Sequence, residues 1–189
     1  MGLGGAEMEA VQHYQSPLGE MVLTADELGI TGIWFDGENY LKEHLLAGKS
    51  EERETPILKD AKRWLDSYFQ GKEPEKLPPL HPIGSEFRQA VWEVLLQIPY
   101  GQTMTYGEIA KKIAAQRGNK KMSAQAIGGA VGHNPISILI PCHRVVGATG
   151  NLTGYAGGLD KKVQLLTLEG VETHRFFLPK EKCKKEPSR

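Results

Sequence analysis

Pro141-Cys142-His143-Arg144-Val145 sets a thiol beside an imidazole, a pairing of residue types suited to nucleophilic chemistry. A free thiol titrates near about 8.5, so Cys142 needs a neighbouring base or positive charge to supply the thiolate that attacks an electrophile. Adjacency alone is weak, because a buried cysteine more often serves as a small core residue. The other cysteine, Cys183, lies in a charged tail, and the histidines His13, His44, His81, His133, His143 and His174 show no Cys/His ligand spacing, so no metal site is expected.

The elements that must position this pair can be read outward from it. Ile136-Ser137-Ile138-Leu139-Ile140 is an apolar run that predicts a buried strand delivering Cys142 at its end. Before it, a helix over 123–131 places Ala124, Ile127, Gly128 and Val131 inside and Gln125 and Gly129 outside, and Gly128-Gly129 makes it thin enough to approach another backbone closely. Thr105-Tyr106-Gly107-Glu108 reads as a capping box that opens a helix with Tyr106, Ile109, Ala110 and Ile113 on one face. An amphipathic helix over 85–97 buries Phe87, Val91, Val94 and Leu95, and a last helix covers 160–169. Helix, turn, short helix and apolar extended chain fit a winged helix-turn-helix, and on spacing alone they fit a plain helical hairpin equally well.

The first half alternates as half-buried strands do, over 19–25 and 29–35 with an earlier strand over 10–14. Helices over 40–46 and 56–69 follow, the second carrying Leu58, Ala61, Leu65 and Tyr68 or Phe69 on one face. Pro74, Pro78, Pro79 and Pro82 then stiffen a stretch with few amide donors, which suits a link between domains.

The chain has 189 residues, 40% hydrophobic and 24% charged, which excludes disordered and collagen-like classes. Two cysteines cannot make a disulfide framework, and no apolar run approaches the roughly 18 residues that span a bilayer. With no apolar signal segment at the start, a cytoplasmic location is expected, or a nuclear one in a eukaryote, with no membrane partner. The net charge is zero, which taken alone argues against a nucleic-acid partner. Cut at the proline stretch, residues 1–80 carry −7 and residues 81–189 carry +7, of which 81–170 hold +4. An acidic half is joined to a modestly basic one.

Asn134-Pro135, the apolar run, Pro141-Cys142-His143-Arg144-Val145, then Gly150 and Gly154-Tyr155-Ala156-Gly157-Gly158 before the last helix, closely resemble the active-site region of the O6-alkylguanine-DNA alkyltransferase family. The resemblance extends over roughly residues 80–170 and, more loosely, over the first half. It implies an α+β protein: a small ribonuclease-H-like N-terminal α/β domain over 1–78, a helical winged helix-turn-helix DNA-binding domain over 79–171, and a charged tail over 172–189. It further implies a suicidal repair protein that needs no cofactor, with Cys142 taking the alkyl group from O6 of guanine as a thioether; O4 of alkylated thymine remains open as a second substrate. His143 would draw off the thiol proton through a water, Glu169 would orient the imidazole, and Asn134 would brace the turn before the site. Tyr106 would donate to the guanine ring as charge develops on it. The carbonyls of Cys142 and Val145 and the Tyr155-Ala156-Gly157 backbone would hold the base, with Ser123, Ala124, Gln125, Gly128 and Arg144 among the substrate or DNA contacts.

The implied partner is double-stranded DNA, entered through its minor groove, where readout is degenerate, with the damaged base flipped out of the stack. The protein is expected to be a monomer in solution, with cooperative binding along DNA left open. Three features depart from the family pattern. Gln125 stands where many members insert an Arg into the base stack, Gly132-His133 where basic residues are common, and Ala156 where some members carry a hydroxyl. Competing readings are a lesion-binding relative without transfer, against which Cys142 argues; a transcription regulator, which gives no use to Cys142, His143 or Glu169; and a thiol hydrolase, which needs an oxyanion hole and turnover.

Overall fold

Met21, Leu23, Ile33 and Phe35 point to one face of a sheet and Val22 and Trp34 to the other, the period-two alternation that the sequence predicts. The computed structural model describes residues 8–48 and 50–176. In it β1 (Glu9–Ser16), β2 (Gly19–Ala25) and β3 (Ile30–Phe35) form an antiparallel meander, and β4 (Ser50–Glu52) joins β1 in parallel, giving the order β3-β2-β1-β4. One face is covered by α1 (Asn39–Ala47) through Leu41. The other is covered by α2 (Pro56–Phe69), whose Leu58, Ala61, Leu65 and Tyr68 are fully buried. Thr55 caps α2 by accepting from Leu58 N at 3.2 Å, and Pro56 occupies the first turn, where its missing N–H costs nothing.

The second half is helical: α3 (Glu86–Leu95), α4 (Tyr106–Gln116), α5 (Ala124–Gly132) and α6 (Leu159–Leu168), with a two-residue parallel pair, β5 (Met104–Thr105) and β6 (Val145–Val146), beside them. The capping box is present in full: Thr105 Oγ1 accepts from Glu108 N at 3.1 Å, and Glu108 Oε2 accepts from Thr105 N at 2.8 Å. Trp92 Nε1 donates to Ala130 O at 2.9 Å and ties α3 to α5. The mixed architecture, a small sheet layer followed by a helical layer, agrees with the expected α+β class.

Two expectations are corrected. The apolar run 136–140 is buried but is not a strand: it meets β3 in a single bridge, Ile33 with Ile136, and then coils through turns, with Ile138 at φ 72°. A β-branched residue there is strained by about 1–2 kcal/mol, and the turn persists because its neighbours enforce it. On α5 the buried set is Ile127, Ala130 and Val131, while Ala124 is exposed and Gly128 half-buried, so the apolar stripe is rotated from the predicted one.

The proline-rich segment is tied down at its end. Ile30 N donates to Pro79 O at 2.8 Å and His81 N to Ile30 O at 2.7 Å, extending the sheet past β3. One hydrophobic cluster runs from Met21, Leu23 and Leu65 through Val91 and Leu95 to Ile127, Ile140 and Leu165, so both halves share a core. Cys183 and residues 177–189 of the tail lie outside the described residues, as do residues 1–7. Among the described residues, no helix is long and apolar enough to cross a membrane.

Candidate active site

Asn134 organises the approach to Cys142. Its Nδ2 donates to Ile140 O at 2.8 Å and Ile136 O at 3.3 Å, while its Oδ1 accepts from Ile136 N at 3.0 Å, closing the turn across 136–140. The chain then enters a short 3-10 turn over Cys142–Arg144, with Cys142 N donating to Ile140 O at 2.8 Å, and leaves as β6. Cys142 is 8% exposed. Burial pushes its thiol up to about 11, against the opposing effects of a hydrogen bond from Asn134 and the charge of Lys162. At neutral pH only about one thiol in ten thousand is then ionised, so a base has to act on it.

His143 is fully buried, and its Nε2 is hydrogen-bonded to Glu169 Oε2. Burial lowers the imidazole's pKa despite that carboxylate, so His143 is neutral. With its proton on Nε2, facing the carboxylate, Nδ1 is the free base, and it has no hydrogen-bond partner among the described residues.

Glu169, the residue closing α6, is 6% exposed and is clamped by donors from distant parts of the chain. Arg144 Nε and Gly101 N donate to Oε1 at 2.7 and 3.0 Å, and Tyr68 Oη donates to Oε2 at 2.7 Å beside the imidazole. Gly101, at φ 75°, adopts the left-handed turn that aims its N–H at the carboxylate. Burial alone would raise the Glu169 carboxyl; the hydrogen bonds from His143 and Arg144, together with the Arg144 charge, outweigh it and hold the group at about 2. Arg144, placed by the sequence among the substrate contacts, is buried, and its guanidinium is committed to Glu169 and to Ile98 O at 2.7 Å.

Tyr106, the first residue of α4, donates from Oη to Thr153 O at 3.2 Å, and burial raises its phenol, keeping it a donor. The same carbonyl accepts from Lys162 Nζ at 3.0 Å. Lys162 is fully buried on α6, and burial lowers its ammonium to about 8. Neither Lys162 nor Tyr68 stood out in the sequence, since each sits in an ordinary helical pattern; a lysine at an inward helix position was the available signal. Val145 is buried, Ala156 is exposed, and Gly157 lies so close to the N-terminal half that a Cβ there would sit 2.9 Å from Phe35 Cδ2. Gln125, Ala126 and Gly129 form the exposed face of α5, whose N-cap Ser123 accepts from Ala126 N at 3.0 Å. The structure therefore gathers Cys142, His143, Glu169, Asn134 and Tyr106 into one buried centre, and it leaves Ser123, Ala124 and Gln125 on an outer helix. A cleft of 960 Å³ between α2 and the 72–79 segment contains no thiol or imidazole.

A buried thiol with an imidazole–carboxylate pair behind it, set under a helical layer, defines a cysteine-dependent group-transfer protein of the α+β class. Residues 86–171 match the 6-O-methylguanine DNA methyltransferase DNA binding domain, and residues 11–80 match the ribonuclease-like domain of the same family. The chain belongs to the 6-O-methylguanine DNA methyltransferase family. Among its relatives, a methylated-DNA–protein-cysteine methyltransferase of Methanosarcina acetivorans is 44% identical over 159 residues, covering 83% of this chain and 96% of the relative. One of Haemophilus influenzae is 40% identical over 163 residues, covering 84% and 85%. The Mycobacterium tuberculosis OGT solved in complex with DNA superposes with a TM-score of 0.71 at 36% identity, covering 88% of this chain and 94% of that one.

Proposed function

We propose that this protein repairs alkylated DNA by moving an alkyl group from O6 of guanine to Cys142, irreversibly and once per chain. The observation that carries the reading is the buried Cys142 next in the chain to a buried His143 whose Nε2 is bonded to Glu169 and whose Nδ1 is left free. His143 Nδ1 takes the thiol proton through an intervening water, and Sγ attacks the alkyl carbon. The S–C bond forms as the C–O6 bond breaks, and the electron pair goes to the guanine ring. Tyr106 leaves Thr153 O to hydrogen-bond to the ring as that charge develops, and the proton lost by sulfur is returned to guanine overall. Lys162, still held by Thr153 O, supplies the positive charge that favours the thiolate.

DNA lies against α4 and α5, with α5 in the minor groove and the damaged nucleotide flipped toward Cys142; the extrusion costs a few kcal/mol and is cheapest for a poorly paired base. Gln125 meets the orphaned base through a neutral amide. The chain acts as a monomer in this reading, residues 1–78 forming the supporting domain and 79–171 the reacting one. The test is to incubate the protein with a duplex carrying O6-methylguanine and to map the peptides by mass. One methyl on the Cys142 peptide, absent in Cys142→Ser, is the expected result; an unmodified protein beside demethylated DNA overturns the reading.

A further inference from the structure

We propose that Tyr68, on α2 of the N-terminal half, is a positioning residue for the transfer site, its hydroxyl fixing Glu169 and through it the protonation pattern of His143. The proposal rests on the reading of Cys142 and His143 given above and adds a part to it that lies outside residues 86–171.

The geometry leaves the hydroxyl one place to go. The Tyr68 side chain is fully buried, stacked on Trp64 with ring centroids 5.4 Å apart and met edge-on by Phe69, Tyr100 and His143 at 5.4, 6.2 and 6.4 Å. Inside that cage Oη donates to Glu169 Oε2 at 2.7 Å and lies 3.5 Å from His143 Nε2. The phenol is pushed far up by burial and by the Glu169 charge, so it remains a donor at every pH the protein survives.

Oε2 is the oxygen that also receives the imidazole. Two donors on one carboxylate oxygen share its charge, so the Tyr68 hydroxyl moderates the pull of Glu169 on the Nε2 proton and keeps His143 in the neutral form with Nδ1 open. The groups facing His143 are Glu169 and Lys162 from α6 and its end, Arg144 from its own turn, and Tyr68 from α2. Of these, Tyr68 alone comes from the acidic half. That half therefore contributes a hydrogen bond to the site besides packing against it.

Without the hydroxyl, Oε2 keeps only the imidazole, the imidazolium form gains, and His143 becomes a stronger base that is protonated at higher pH. In the full-length chain, Tyr68→Phe is expected to lower the single-turnover transfer rate at neutral pH about tenfold, the rate equivalent of one lost hydrogen bond to the carboxylate that orients His143. It is also expected to move the acid limb of the pH–rate profile up by about half a pH unit. Replacement of Tyr68 by 3-fluorotyrosine, a more acidic phenol and stronger donor, is expected to move that limb down, with the fold intact. A purely structural role would change the rate or the denaturation midpoint without moving the two limbs in opposite directions. If the fluorinated protein's profile superimposes on that of the wild type, the proposal is overturned, even where Tyr68→Phe fails to fold. If the wild type itself transfers no methyl, the underlying reading fails instead.

Discussion

Glu169→Gln keeps the volume of the side chain and deletes its charge. The carboxyl is held at about 2, and an unfolded chain would place it near about 4.3, so the two states differ by about 2 pH units, or roughly 3 kcal/mol at neutral pH. The partner gives the same scale: Arg144 would be left buried without its counter-charge, with only the amide oxygen and Ile98 O to accept from it, and stranding a buried cation costs about 3–5 kcal/mol. We expect urea denaturation at pH 7 to show Glu169→Gln destabilised by about 3 kcal/mol with an unchanged slope. The sign with pH follows from a depressed carboxyl. Its stabilisation is complete above the unfolded value and is lost as pH falls through the folded one, so the gap between wild type and variant should narrow between about pH 5 and 2. A gap that stays constant over that range, or equal midpoints at pH 7, refutes the reasoning about the clamp. Transfer by the variant should also slow about 100-fold, because an amide no longer fixes the Nε2–H tautomer that leaves Nδ1 free to take the thiol proton.

Lys162→Met should stabilise the protein by up to about 3 kcal/mol at pH 7 while slowing transfer, since it removes a buried ammonium and the charge that favours the thiolate. The stability difference is full below about 8 and should vanish as pH rises past about 10.4, which urea melts across that range would check. Asn134→Ala removes three hydrogen bonds of the turn before Cys142 and should cost about 2–3 kcal/mol in thermal or urea denaturation, with slower transfer. Gln125→Arg adds a charge on the exposed face of α5; DNA affinity should rise and the slope of log affinity against log salt should steepen by about 0.9, with the chemical step unchanged when DNA is saturating.

The helices and the first sheet were legible because their residues carry the period locally. The stripe Leu58, Ala61, Leu65, Tyr68 located α2, and the pair Thr105 and Glu108 located the start of α4. The short strands β4, β5 and β6 were not legible, since two or three residues carry no period and their partners lie about 40 residues away in the chain. The run 136–140 misled because continuous apolar character reports burial and not conformation; the left-handed Ile138 and the Asn134 bonds that coil it depend on contacts with β3. Of the candidate site, Cys142, His143 and Glu169 were found through the motif and its resemblance. Tyr68 was hidden in the core stripe, where a tyrosine scores as an apolar residue and its hydroxyl goes uncounted. The resemblance sets Arg144 among the substrate or DNA contacts, and only the fold reveals the buried Glu169 carboxylate, 25 positions away, that takes its guanidinium.

In the proposed reaction Cys142 is an acceptor consumed by the transfer it performs. The most direct measurement is a titration with excess duplex bearing isotopically labelled O6-methylguanine, following label bound to protein against time and locating it by peptide mapping. A single rapid phase is expected that stops at one methyl per chain, all of it on Cys142, with no further loss of methylguanine from the DNA. Continued demethylation beyond one equivalent, or label settling on another residue, would contradict it.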